Sequence, residues 1–326
     1  SAMRFVNLLG TCRIDNSTLT SSNAAGHLVS VIVNAGDLTS LTLANSDFQD
    51  TVTSPLSGLA GFRINTEGAA TASVTAMGCI FNNNWTRGFQ GEALDSSTLN
   101  VYAQTSTFSN NAQGIWLSAS DSAALNFDIN NNTAFTDNDD ENIFVGASST
   151  ATAISIVNGY IRNNSNIVGV SSSFTDLVVV EIEGAGGANV EISNNVITQQ
   201  GLTRCIAAMT GDNPGDSASL HARILNNTIS ATGTVVSPPI LAAGNEFGTL
   251  CTKIEGNAIS IASLVGHIFL ERNDASTVTL EQGVSGSVDP GTVLDDNNDP
   301  TAAPDVFAFG SPSVVPNGSC TQPTIP

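Results

Sequence analysis

Short stretches in which apolar and polar residues alternate recur along the whole chain. Each leads into an Asn- or Ser-rich corner and then a single large apolar residue. The unit reads IDNSTL (Ile14 to Leu19), LTLANSDF (Leu41 to Phe48), VTAMGCIF (Val74 to Phe81), LNVYAQTSTF (Leu99 to Phe108) and LNFDINNNTAF (Leu125 to Phe135). It continues as IRNNSNI (Ile161 to Ile167), VEISNNVI (Val190 to Ile197), ARILNNTI (Ala222 to Ile229) and KIEGNAI (Lys253 to Ile259). The closing apolar residues are spaced by 27 (Phe81 to Phe108) to 33 (Phe48 to Phe81). A second apolar column follows each anchor: Phe62/Ile64, Phe89, Ile115/Leu117, Ile143/Val145, Ile206/Ala208, Ile240/Ala242 and Ile268/Leu270. Alternation of this kind is the period of a half-buried strand, so each repeat holds about three short strands separated by turns.

A strand this short cannot bury a face alone. Stacking the repeats lets each strand pair with its copy one turn on, at ~4.8 Å spacing, and joins the apolar positions into one interior. The pairs Asn110-Asn111, Asn131-Asn132, Asn163-Asn164, Asn194-Asn195 and Asn226-Asn227 suit the corners. Asn tolerates the left-handed backbone that a sharp corner requires, and its amide can bond the amide of the next coil. The pattern predicts an all-β chain, a right-handed parallel β-helix of about nine coils with three short strands per coil. The LxxLxL spacing of a leucine-rich solenoid is absent, a β-sandwich needs no such recurrence, and helical periodicity is scarce.

Composition adds boundaries rather than a reaction. With 29 acidic and 9 basic residues, the net charge of −20 makes nucleic acid and anionic lipid poor partners. No apolar run approaches the ~18 residues of a membrane span, so no membrane insertion is expected in this segment. Ser1-Ala2-Met3 reads as a cloning scar. Residues 4–288 read as the β-helix, already inside a coil at Arg4, so the segment is expected to be part of a longer chain. Residues 289–326, rich in Pro and Asp, read as a C-terminal cap and exit linker. The five cysteines show no CxxC spacing and the three histidines no metal-binding unit; Cys79 and Cys205 lie in apolar segments as small buried side chains would.

The NNxI, GNxI and xFxNN corners resemble the repeats of right-handed parallel β-helices of the pectate-lyase-like superfamily. Runs such as STFSNN, ISNNVI and NNTI are similar to the arrays of large bacterial exported proteins. The resemblance implies a secreted or cell-surface location and a polysaccharide or another surface macromolecule as partner. In such a protein Cys251 and Cys320, both toward the C-terminal end, are expected to pair. The enzymes of the superfamily cleave or epimerise polysaccharides, and their parts are missing here. The eight Arg and the single Lys253 form no cluster, the Asn-Thr-Asp, Gly-His-Gly and Arg-Ile-Lys segments of the polygalacturonases are absent, and Gly266-His267 lacks the second glycine.

Two surface features stand out. Between the inward pairs of the second column, Arg63, Gln90, Trp116, Phe144, Ala207, Leu241 and Phe269 must point outward. Trp116 beside Phe144 would form an aromatic shelf of the kind sugars and protein partners use. The adjacent acidic corner Asp137-Asn138-Asp139-Asp140-Glu141 offers hard oxygen ligands suited to Ca2+, although it matches neither an EF-hand loop nor the GGxGxD repeat. The function these features favour is a non-catalytic, adhesin-like stalk or recognition segment that binds carbohydrate or another macromolecule. A polysaccharide-active enzyme with loop-borne residues and a calcium-dependent matrix component are the alternatives.

Overall fold

The structure is a computed structural model that describes every residue except 1–2, 22–25, 51–58, 151–152, 171–175, 201–203, 212, 233–235, 262–265, 299–305 and 326. Three parallel sheets, A, B and C, form a β-solenoid in which the chain visits one strand of each sheet per coil. Among the described residues, sheets A and B contain 11 strands each and sheet C contains 9. In the first nine coils the sheet B strand precedes the large apolar anchor, which lies in sheet C. Phe108, for example, follows Thr98–Gln104 of sheet B and sits in Thr107–Ser109 of sheet C. The second apolar column is sheet A, as in Gln113–Ser120 and Ile143–Ser148.

In-out alternation is preserved from coil to coil because the register never slips over the central rungs. Leu99, Val101 and Ala103 stack under Leu125, Phe127 and Ile129, all fully buried. The anchors form a continuous column: the rings of Phe48, Phe81, Phe108 and Phe135 lie 4.9 Å apart and within 8° of parallel. Ile167, Ile197, Ile229 and Ile259 extend it, none more than 4% exposed. Each ring thus covers the next, removing apolar area from water on both faces.

The Asn pairs divide their work. At the corners between sheets B and C the first residue is left-handed, as in Asn16, Asn45, Asn131, Asn163, Asn194 and Asn226, with Gly78 and Gly256 taking the same role. The second residue is buried and forms a ladder. The Nδ2 atom of Asn132 donates to Asn164 Oδ1 (3.0 Å), and the bond repeats through Asn195, Asn227, Asn257 and Asn298. Asn164, Asn195, Asn227, Asn257 and Asn298 each also accept the backbone N–H of the ladder residue one rung before, so the corner's buried donors are satisfied in step with the stacking. A second ladder, Asn84, Asn111 and Asn138, runs along the corners between sheets C and A.

Residues 289–326, read above as a cap and exit linker, pack against the last coils where they are described. The helix Pro290–Asn297 takes the place of a sheet C strand in the tenth coil. Its Val293 and Leu294 are fully buried, and Asn298 ends the Asn ladder. The strands Val306–Phe309 and Ser313–Val315 then add an eleventh rung to sheets A and B. From there the tail turns back along the outside of sheet B. Cys320 is bonded to Cys251, Thr321 donates its N–H to His221 Nδ1 (2.6 Å), and Tyr160 donates its hydroxyl to the Pro323 carbonyl (2.7 Å). Pro- and Asp-rich composition here marks tight turns and a helix cap rather than an unpacked segment; the Asp289 side chain accepts the Thr292 N–H at the helix start. Met3, read above as part of a scar, opens the first strand of sheet A.

Candidate functional site

Trp116 and Phe144 occupy the same register position on neighbouring strands of sheet A, between inward-facing Ile115/Leu117 and Ile143/Val145. Both are half-buried and their rings lie 5.7 Å apart and within 8° of parallel. Phe144 leans along its strand over Gly146. A Cβ added there would fall 2.7 Å from the ring, so only glycine allows the ring to lie so close to the sheet. On the rung before, the Arg87 guanidinium sits 4.1 Å from the centre of the Trp116 ring, a cation–π contact. Trp116 therefore has a neighbour on each side. The free face expected of it is taken up by this packing, which leaves the ring edge and Phe144 toward solvent.

Beside the two rings is a groove of about 240 Å³ lined by Ser118, Ala119, Ser120, Gly146, Ala147, Ser148, Glu181 and Glu183. Several of these residues have the same outward parity as Trp116 and Phe144, two or four positions further along the same strands. Alternation from Trp116 and Phe144 gives Ser118, Ser120, Gly146 and Ser148 the same outward parity, but nothing local says that the positions enclose a concavity. Hydroxyls and carboxylates against an aromatic wall can accept and donate hydrogen bonds to a polyhydroxylated ligand while covering one apolar face of it.

A polar relay borders the groove. Arg87 Nε donates to Gln113 Oε1 (2.7 Å), and Gln113 Nε2 donates to Glu141 Oε2 (2.5 Å). Burial lowers the Arg87 pKa from its ordinary value and raises that of Glu141. Further toward the N-terminal end, Arg63 pairs with Glu92 (2.7 Å) and touches His27. His27 accepts the Ala60 N–H at Nδ1, and burial, with Arg63 nearby, pulls its pKa down to about 4.

The acidic corner serves the coil. Asp137 is the left-handed residue (φ 57°) in the place of Asn83 and Asn110, and Asn138 is the buried ladder member in the place of Asn84 and Asn111. The backbone N–H groups of Asp139 and Asp140 bond to Asn111 and Ala112 of the previous coil, and Glu141 faces Gln113. Among the described residues no group of three or more His, Cys, Asp or Glu side chains is placed to hold a metal ion, so Asp137, Asp139, Asp140 and Glu141 do not converge as Ca2+ ligands. Asp95 and Asp121 are likewise left-handed corner residues. Ala207 and Leu241 have the outward register expected of them but are buried, as is Val179 on the rung between Phe144 and Ala207. No helix among the described residues is long and apolar enough to cross a membrane. No protein-family model, curated protein or solved structure matches the chain.

Proposed function

We propose that this chain is a non-catalytic recognition segment of a secreted or surface protein, adhesin-like, that binds carbohydrate in the groove beside Trp116 and Phe144. The observation that carries this reading is the parallel aromatic pair set on a rigid sheet next to serine hydroxyls and carboxylates. Phe144 and the edge of Trp116, held rigid by this packing, lose little entropy on binding and present apolar area to a sugar, while the polar rim fixes its orientation. Glu181 and Glu183 disfavour polyuronates, so the ligand is a neutral glycan. The disulfide between Cys251 and Cys320 supports an oxidising compartment.

Glycan-array binding followed by titration calorimetry tests the reading. Phe144→Ala and Trp116→Ala should each weaken binding by about tenfold or more, with the far-ultraviolet circular dichroism of the solenoid retained. The two carboxylates of the groove favour one rival, glycoside hydrolysis, in which a carboxylate pair flanks the scissile bond. New reducing ends from a bound neutral polysaccharide, lost in Glu181→Gln or Glu183→Gln, would replace binding with catalysis as the function.

A further inference from the structure

The C-terminal tail lies on the outside of sheet B in a site that grips its backbone. Glu281 Oε2 accepts the Cys320 N–H (3.1 Å), His221 Nδ1 accepts the Thr321 N–H, and the Tyr160 hydroxyl donates to the Pro323 carbonyl. These three partners stand on the tenth, eighth and sixth strands of sheet B, and Cys251, bonded to Cys320, stands on the ninth. The site therefore takes an extended segment that arrives over the C-terminal edge of the sheet and runs toward the N-terminal end.

The solenoid itself advances the other way, so the tail must reverse to reach the site. Residues 316–319, all exposed, make that reversal. The turn is closed by the Ser319 N–H on the Pro316 carbonyl (3.3 Å), has Gly318 left-handed (φ 82°), and is tied to the rod by Asn317 Nδ2 donating to the Gly283 carbonyl (2.6 Å). A second rod set end to end with the first would present the same site in line with the advancing chain, and no reversal would be needed. From Val315 to the neighbour's Glu281 is then two rungs, roughly 10 Å, and the chain from Val315 to Cys320 spans up to ~16 Å when extended. The end faces have their own reason to meet. Val306–Phe309 and Ser313–Val315 are the last strands of sheets A and B among the described residues, and Phe307 and Phe309 are 39% and 47% exposed there.

We infer that two copies join at their C-terminal ends across a two-fold axis and exchange tails, each Cys320 bonding the Cys251 of the other copy. Every contact of the single chain is kept and each occurs twice. Closing each bond is an oxidation: two thiols lose two protons and two electrons to a small-molecule disulfide such as oxidised glutathione, which leaves as two thiols. Before that step the tail is held only by the polar contacts above and can exchange. Its own rod offers an effective concentration on the order of millimolar, so exchange grows with protein concentration and is favoured where copies are crowded. The inference is independent of the carbohydrate reading, and it places two grooves on one particle.

The test mixes equal parts of isotope-labelled and unlabelled intact protein, reduces them, reoxidises them in a glutathione buffer and maps the linked peptides by mass spectrometry. Linkage of a labelled Cys251 peptide to an unlabelled Cys320 peptide should rise about tenfold between ~10 and ~100 µM, in a species of doubled mass by sedimentation. Gly318→Val strains the left-handed turn and leaves the extended path unhindered, so it should raise the mixed linkage about tenfold at the lower concentration. Linkage confined to single copies at every concentration, in the parent and in a folded Gly318→Val, would overturn the exchange. So would dimers that keep their internal linkage and persist in Cys320→Ser, since the contact would then belong to the end faces alone.

Discussion

Asparagine contributes to this fold at two adjacent positions for two reasons. The first of each pair bears a left-handed backbone, and the second spends both ends of its amide on the coils above and below. The sequence pattern shows the pairs, but the same chemistry hides behind other letters. Asp137-Asn138 performs the task of Asn110-Asn111 and was legible as an acidic corner rather than as a rung of the ladder. The core anchors are more transparent, because a lone large apolar residue after a polar corner has few other uses. Phe108 is stacked on both faces and fully buried, so Phe108→Ala should lower the unfolding free energy by about 3–5 kcal/mol, read from chemical denaturation. His27 sets a pH limit. Its pKa is about 4 when folded against an ordinary 6.5, so the folded state resists the proton that the unfolded chain accepts. Its contribution to stability is whole above pH 6.5 and is lost as pH falls toward 4. His27→Gln should flatten that part of the stability–pH curve, and an NMR titration of the ring should place its midpoint near 4.

At the scale of elements, each strand is a fragment that exists only because its neighbours on both sides repeat its pattern. For that reason the repeats identified the sheets, and the elements outside the repeat had no pattern to mark them individually within a segment read as cap and exit linker. Pro290–Asn297 is too short for a 3.6-residue period to be visible, and its buried Val293 and Leu294 look in the sequence like two apolar residues in an acidic run. The last strands, Val306–Phe309 and Ser313–Val315, follow Asn297-Asn298 with no large apolar anchor between and so lack the repeat's full signature. The groove was legible only in its two aromatics, since concavity arises from how three strands are placed and belongs to none of them. The tail is held by one covalent link and a few polar contacts. The link closes a loop of 69 residues, for which chain entropy sets a ceiling of about 4 kcal/mol. Cys320→Ser should therefore release residues 316–325 first. Hydrogen exchange at the Thr321 amide should accelerate strongly while the amides of Thr249–Glu255 stay protected. Continued protection of Thr321 in the variant would show that the contacts to His221 and Tyr160, with the N–H of residue 320 donated to Glu281 (3.1 Å), suffice without the bond.

Across the whole molecule, stability is built from nearest-neighbour contacts between coils, so no single pair of distant residues holds the fold together. The disulfide is the exception to that locality, as is the Tyr160 contact with Pro323, which spans 163 positions of sequence. Both follow from a tail that doubles back along the rod. The mechanical consequence is specific. Tension applied at the C-terminal residues would enter the rod at Cys251, in the ninth strand of sheet B, and would bypass the two outermost rungs of that sheet. Peeling the rod open from its C-terminal edge, strand by strand, is the weak mode of a stacked sheet; loading it at an interior strand engages the hydrogen bonds on both sides of Thr249–Glu255 together. The bond thus converts an end that would unzip into one that must shear.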